Sequence, residues 1–210
     1  MRSHEKYMLG LVKHSRGVTA MYLFFDTETS DLPRNWTAPL SEVNNWPRIV
    51  QVAWITCDSE ENIIECQTRL IKPDGFEIAA GAYQTHGIST EFARENGEAL
   101  LPLLDELAAT INSSSVLVAH NIDFDATIVA AEFIRSGRAN PIASKTRHCT
   151  MKESTEYCQL PGNYGFKWPT LSELHTLLFG KDFKGAHDAA ADCLACMNCY
   201  FRLKAIGIIG

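Results

Sequence analysis

No apolar run in this 210-residue sequence approaches the roughly 20 residues that a membrane-spanning helix needs, which argues against a membrane protein. The opening stretch, MRSHEKYMLGLVKHSRGVTA, is basic and polar. It lacks the apolar core of about 7–15 residues that marks a secretory signal. Basic charge is in deficit as well, with 19 Lys and Arg against 25 Asp and Glu and a net charge of -6. The lack of a global basic field argues against a protein that simply coats DNA electrostatically. It does not argue against an enzyme that meets phosphate through bound cations. Internal repeats and low-complexity tracts are missing too. The seven cysteines come without a secretion signal, so they read as free thiols in a reducing, cytoplasmic setting.

What is present fits a globular fold. A hydrophobic content of 46% and a charged content of 21% are ordinary for a chain that buries a core, and the length suggests one domain. Met21 directly precedes the first strong strand pattern. Residues 1–20 therefore read as a flexible leader, an upstream start or an expression remnant, and residues 21–210 as the domain.

Along that domain, Tyr22–Asp26 is expected as a first strand, followed by a loop through Trp36 and Trp46 that ends at Pro47. Arg48–Cys57 is dense in β-branched residues and predicts a second strand. A tight polar turn at Asp58–Asn62 then leads into a third strand, Ile63–Ile71, and such short connections favour an antiparallel meander. Glu98–Ile111 carries apolar residues at helical spacing, with Pro102 tolerable in the first turn. Ser115–His120 is short and apolar, like a strand buried on both faces. A helix over about Asp123–Ser136, a short strand at His148–Met151 and a loop over 152–169 follow. Thr170 then caps a helix closed by Gly180, and a last helix runs from about Asp188 to Ala205. Three antiparallel strands followed by alternating helices and strands predict an α/β domain with a mixed sheet.

The first strand raises a chemical question. In FFDTETSDLP, residues 24–33, an apolar run ends in Asp26 and Glu28, which project from the same face of a strand. Side by side, two carboxylates repel each other, unless a divalent cation turns the repulsion into coordination. Asp125, in VAHNIDFDATIV, falls in the first turns of a helix. His187 and Asp192, in GAHDAAADC, fall at the start of the last helix among small residues. An acid in a first helical turn complements the helix dipole and needs no other explanation when it stands alone.

In order, these are D-x-E at a strand end, H-N-x-x-F-D at a helix start and H-x-A-x-x-D at a later helix start. The set resembles the three exonuclease motifs of the DnaQ-like (DEDDh) 3′–5′ exonucleases. QTHGIS resembles that family's H-G-I-[ST] segment, and TLSELHTLLFG its helix before the third motif. The resemblance runs from Met21 to about Ala205. It implies a ribonuclease H-like three-layer fold, with a central mixed β-sheet flanked by helices. It implies that Asp26, Glu28, Asp125 and Asp192 hold two Mg²⁺ ions, with Mn²⁺ able to substitute and Asp26 bridging both. The family spacing N-x-x-F-D selects Asp125 over Asp123, which reads as a solvated first-turn residue. His187 would be the general base, since a neutral imidazole can take a proton from the attacking water at neutral pH.

By the same resemblance, the backbone around Thr27, the Thr29 side chain and Asn121 would hold the terminal nucleotide. Phe124 would stack on the last base, or else serve as a core aromatic, and Leu32 would wedge between the last two bases. Asp31 stands where the family often has Gly, which leaves the wedge loop less determined than the metal site. The activity implied is release of nucleoside 5′-monophosphates from 3′ ends, with single-stranded or frayed DNA as the preferred substrate. An RNA-trimming relative is the alternative, because the same four acids and His serve both. A non-catalytic module that binds a replication protein is a third reading, and retention of all five residues argues against it. A polymerase partner would act in trans.

Two further features were weighed. The aromatic rings of the Trp36–Trp46 and Tyr157–Trp168 loops could flank the substrate groove, although packing is expected for at least half of them. Cys193, Cys196 and Cys199 resemble part of an iron–sulfur run. On a continuous helix, however, they form one apolar stripe with no fourth cysteine after it, and buried packing is expected.

Overall fold

The computed structural model of the protein describes residues 21–210; the expected leader lies outside the described residues. Strand β1 (Tyr22–Thr29) pairs antiparallel with β2 (Ile49–Cys57), and β2 with β3 (Ile63–Leu70). The expected turn between β2 and β3 forms, with the Asp58 carboxylate accepting from the backbone N–H of Glu60 at 2.9 Å and of Asn62 at 3.0 Å.

The chain then makes three helices, α1 (Ala80–His86), α2 (Thr90–Asn96) and α3 (Leu100–Ser113). It returns to the sheet as β4 (Val116–Ala119), parallel to β1. Helix α4 (Ile122–Arg135) leads to β5 (Thr146–Cys149), parallel to β4. The short helices α5 (Thr150–Glu153) and α6 (Thr155–Cys158) precede a hairpin of β6 (Pro161–Gly162) and β7 (Gly165–Phe166). Helices α7 (Leu171–Phe179) and α8 (Ala189–Ala205) complete the described chain. The order β3-β2-β1-β4-β5 places β1 at the centre of a mixed five-stranded sheet, as the fold class requires.

Alternation along β1 divides the core. Leu23 and Phe25 join one buried cluster with residues of α3 and α4, such as Leu107 and Val129. Tyr22 and Phe24 join a second cluster with residues of α8, including Cys193, Cys196, Cys199 and Tyr200. The three thiols are thus packed side chains of the α8 face, and burial raises their pKa values, that of Cys199 to about 12. Side chains two apart share a face, so Asp26 and Glu28 fall on the α8 side and Thr27 on the α4 side. The strand that looks paradoxical in one dimension has one chemical face toward each layer.

The helix signals held well. Thr170 accepts from the Glu173 N–H, Glu173 bonds back to the Thr170 N–H, and Gly180 ends α7 at φ 72°. Other expectations need correction. Strand β1 runs on to Thr29, and β5 lies two residues before the expected His148–Met151. The expected loop 152–169 contains α6, the hairpin and the end of α5. Helices α1 and α2 were not anticipated. They bury little, only Thr90 and Ala93 between them, so no apolar period marks them. Of the six loop rings, Trp36, Tyr157, Tyr164, Phe166 and Trp168 are exposed and only Trp46 is buried. Packing therefore claims one ring in six, not half. Among the described residues no helix is long and apolar enough to cross a membrane.

Candidate active site

Asp26 lies opposite Ala53 and Glu28 opposite Gln51 in the β1–β2 ladder, and the register breaks between Glu28 and Thr29. The strand therefore carries its two acids on regular backbone and turns away immediately after them. Asp125 reaches the same place from the first turn of α4. Its Oδ1 accepts from the Thr27 N–H at 3.0 Å and from the Thr27 hydroxyl at 2.7 Å, with the carboxylate almost wholly buried. Asn121 begins α4 in the left-handed region, φ 72°, a conformation Asn tolerates better than most residues.

The other wall comes from the start of α8. The Asp188 carboxylate caps this helix by accepting from the N–H groups of Ala190 and Ala191. Gln51 on β2 accepts from the Ala189 N–H at 3.1 Å and so ties the helix start to the sheet. His187 adopts φ 68°, and its N–H donates to Asp192 Oδ2 at 2.9 Å. Glu28, His187 and Asp192 each bring one potential ligand atom into a group in which all lie within 4.8 Å of one another.

The electrostatics bear on what this cluster can hold. Burial and then the neighbouring Asp125, Asp192 and Glu28 raise the Asp26 pKa well above the usual carboxylate range. Burial, then Asp192 and Asp125, push Glu28 up to about 8. Burial raises Asp125 to about 7 against the opposing pull of its Thr27 hydrogen bonds. Asp192 is raised by burial, with the His187 N–H opposing. Burial and neighbouring acids thus raise Asp26, Glu28 and Asp125, Asp192 is raised by burial with His187 opposing, and all four offer hard carboxylate oxygens. That combination fits Mg²⁺ or Mn²⁺ better than a soft metal.

An exonuclease family model matches residues 23–200. The chain belongs to the exonuclease family. Among solved structures, E. coli exonuclease I bound to a dA16 oligonucleotide is 24% identical, with a TM-score of 0.70, over 89% of this chain and 41% of that one. The zinc-bound E. coli exonuclease I–ssDNA complex is 25% identical, with a TM-score of 0.70, over 90% and 41%. The complex of the same E. coli enzyme with dT13 gives 25%, 0.69, 88% and 41%. The chain thus spans about 41% of the length of the exonuclease I chains it matches, and the likeness extends to the ribonuclease H-like fold. No curated protein matches it by sequence.

For this exonuclease-family chain, the structure brings Asp26, Glu28, Asp125 and Asp192 to one end of the sheet, with the His187 ring beside two of them. The expected nucleotide contacts are placed less uniformly. Thr29 is buried and its hydroxyl already donates to the Asp31 carbonyl at 2.7 Å. Leu32 is 65% exposed, next to an Asp31 carboxylate that accepts from the Leu32 N–H at 2.8 Å. Phe124 is half-buried against the α4-side core and faces the exposed Trp36 ring at 5.8 Å. Asp123, on the same first turn, forms an exposed ion pair with Lys152.

Sequence reasoning missed three residues. Gln51 had no motif to announce it. His86, within QTHGIS, points Nε2 at the Thr29 carbonyl at 3.3 Å and accepts from the Ile88 N–H, which ties α1 to the end of β1. His120 commits both ring nitrogens, to the Thr150 hydroxyl at 3.0 Å and the Pro169 carbonyl at 3.1 Å, and burial lowers its pKa to about 4. The H-N-x-x-F-D motif holds these contacts at its first residue.

Proposed function

We propose that this chain is a divalent-metal-dependent 3′–5′ exonuclease that acts on single-stranded or frayed DNA and releases nucleoside 5′-monophosphates. The observation that carries the reading is the convergence of four acids with raised pKa values, and of His187, at one end of an exonuclease-family sheet. Asp26, Glu28, Asp125 and Asp192 would hold two Mg²⁺ or Mn²⁺ ions. When bound, such ions stabilise the charge on the attacking and leaving oxygens of an in-line phosphoryl displacement.

The chain's own groups do the rest. The His187 ring, exposed at the mouth of the cluster, accepts a proton from the attacking water. As the water oxygen bonds to phosphorus, the bond from phosphorus to the 3′ oxygen of the penultimate nucleotide breaks, and that oxygen takes a proton from solvent. Thr27 favours the ionised form of Asp125, against its burial, through two donated hydrogen bonds. Asn121 and the Thr27 backbone border the terminal nucleotide, with Phe124 under its base and Leu32 beside it. DNA is the preferred substrate because the exonuclease I structures of similar fold hold dA16 and dT13 oligonucleotides.

The test is parallel digestion of matched, labelled DNA and RNA oligonucleotides blocked at either end, with Mg²⁺ or with EDTA. Expected is stepwise loss from free 3′ ends of the DNA, stopped by chelation. Undiminished cleavage in excess EDTA would sink the metal argument. Faster attack on the RNA would reassign the substrate to the exoribonuclease alternative.

A further inference from the structure

The segment that leads into α7 reads Tyr164-Gly165-Phe166-Lys167-Trp168-Pro169, with a ring at every second residue. All three rings are exposed, Trp168 at 59% and Tyr164 fully. Large aromatics left in water on a folded domain gain nothing from burial, and Tyr and Trp in such positions are enriched at binding surfaces. The backbone beneath them is nevertheless fixed. The Lys167 N–H donates to the Leu160 carbonyl at 2.9 Å, and the Lys167 ammonium bonds Glu173 at 2.6 Å. On the other side of Trp168, the Pro169 carbonyl meets the half-buried His120 ring, and Thr170 closes the α7 capping box.

That anchoring relates the row to the site. His120 immediately precedes Asn121 at the start of α4, the helix that carries Phe124 and Asp125. Lys152 sits 5.6 Å from the centre of the Trp168 ring and pairs with Asp123 on the same first turn of α4. A cation and an indole therefore stand together at the end of the row nearest the carboxylates. A second aromatic pair, Trp36 and Phe124, lies on another side of that turn. Stacking on aromatic faces beside positive charge is how proteins hold unpaired strands without reading sequence. In a chain of net charge -6, such a local arrangement does what the global field cannot.

We propose that Trp168, Phe166 and Tyr164, with Lys152 at the inner end, form a stacking track for the unpaired bases that lie 5′ to the nucleotide being removed. The inference rests on the exonuclease reading and extends it from the terminal nucleotide to the rest of the strand. Lys152 exchanges Asp123 for a backbone phosphate when the strand is seated. Bases stacked inside a duplex present no free faces, so the track favours single strands.

Two readouts separate this proposal from the reading beneath it. The first is the affinity of fluorescein-labelled dT12 without added metal, measured by anisotropy, which needs no turnover. Trp168→Ala should weaken it about 10-fold, the size of losing one stacked base, and Trp168→Phe should recover most of it. The second is kcat/KM with Mg²⁺ on the 4-nitrophenyl ester of thymidine 5′-monophosphate and on oligo-dT of increasing length. Wild-type kcat/KM should climb with length, and in Trp168→Ala that climb should flatten. An unchanged dT12 affinity in the triple variant Tyr164→Ala, Phe166→Ala, Trp168→Ala overturns the track, whether or not the ester is hydrolysed. An equal fall on ester and oligonucleotide also overturns it, because Trp168 would then support the site and not the strand. Absence of all hydrolysis by the wild type, with dT12 binding sensitive to Trp168, strikes the exonuclease reading and leaves the track standing.

Discussion

Asp125 and Asp192 both sit in the first turn of a helix and both face the same cluster, yet the two walls are built differently. Asp125 is almost wholly buried and is gripped by two donors from a residue 98 positions away on the central strand. Asp192 is half-buried, and its one backbone donor, His187, is five positions away in an exposed segment. The first wall belongs to the sheet. The second belongs to a local turn, held through Gln51 and the Asp188 cap. The first wall, anchored across the fold, is thus the rigid one, and the second, held by local contacts, the more adjustable.

The largest effect should come from the residue between the walls. Asp26→Ala removes the carboxylate that faces both, and turnover should fall by more than the roughly 10²–10⁴-fold expected for loss of a general base. Steady-state digestion of labelled oligo-dT measures this. Asp125→Asn should rank close behind, with Asp123→Asn near wild type. The reverse order would show that the rigid wall has been assigned to the wrong acid.

His187→Ala tests the adjustable wall. Turnover should fall about 10²–10⁴-fold while dT12 and Mg²⁺ still bind. A near-normal rate would hand the proton to another group. Loss of Mg²⁺ binding would instead make His187 a ligand, as its closeness to Glu28 and Asp192 allows.

Smaller effects should separate the anchors. Thr27→Val deletes one donor to Asp125 and should weaken Mg²⁺ affinity about 10-fold, the size of one hydrogen bond to a charged group. Asp188→Ala removes the α8 cap, at a cost of about 1 kcal/mol, and should lower Tm by about 2–4 °C. Isothermal titration and thermal melts read the two.

The metal-free protein should also respond to pH with a definite sign. Glu28 and Asp125 have folded pKa values raised to about 8 and about 7, above those of the unfolded chain. Between the unfolded and folded values the native state binds more protons, so stability is present at low pH and lost as pH rises through about 7–8. Melts in EDTA should therefore show Tm falling from pH 5 to pH 8. Mg²⁺ should oppose the fall, and Glu28→Gln should reduce it.

How legible all this was in the sequence depended on what each feature is made of. Strands β1 to β4 and helices α3, α4, α7 and α8 announce themselves through composition, period and caps, whereas β5 lies two residues from its expected place and the β6–β7 hairpin falls within an expected loop. Helices α1 and α2 bury almost nothing and left no trace. The acids were legible as motif members, but the anchoring of Asp125 by Thr27 was not, because that donation depends on strand alternation and a contact across 98 residues. The aromatic loops misled for a related reason. A ring in the sequence predicts burial on average, and only the fixed backbone around Trp168 shows that its exposure is built in.

The central strand has one more consequence, and it concerns time. β1 must find β4 in parallel across more than 90 residues, with Phe24 opposite Val118, and such distant pairing is slow to form. Even then the cluster is incomplete, since Asp192 arrives on the last helix. A ribosome-bound chain that has exposed β1, α4 and their three carboxylates is still one carboxylate and one imidazole short. The cluster can therefore assemble only after the chain through α8 has been made and the distant β1–β4 pairing has formed.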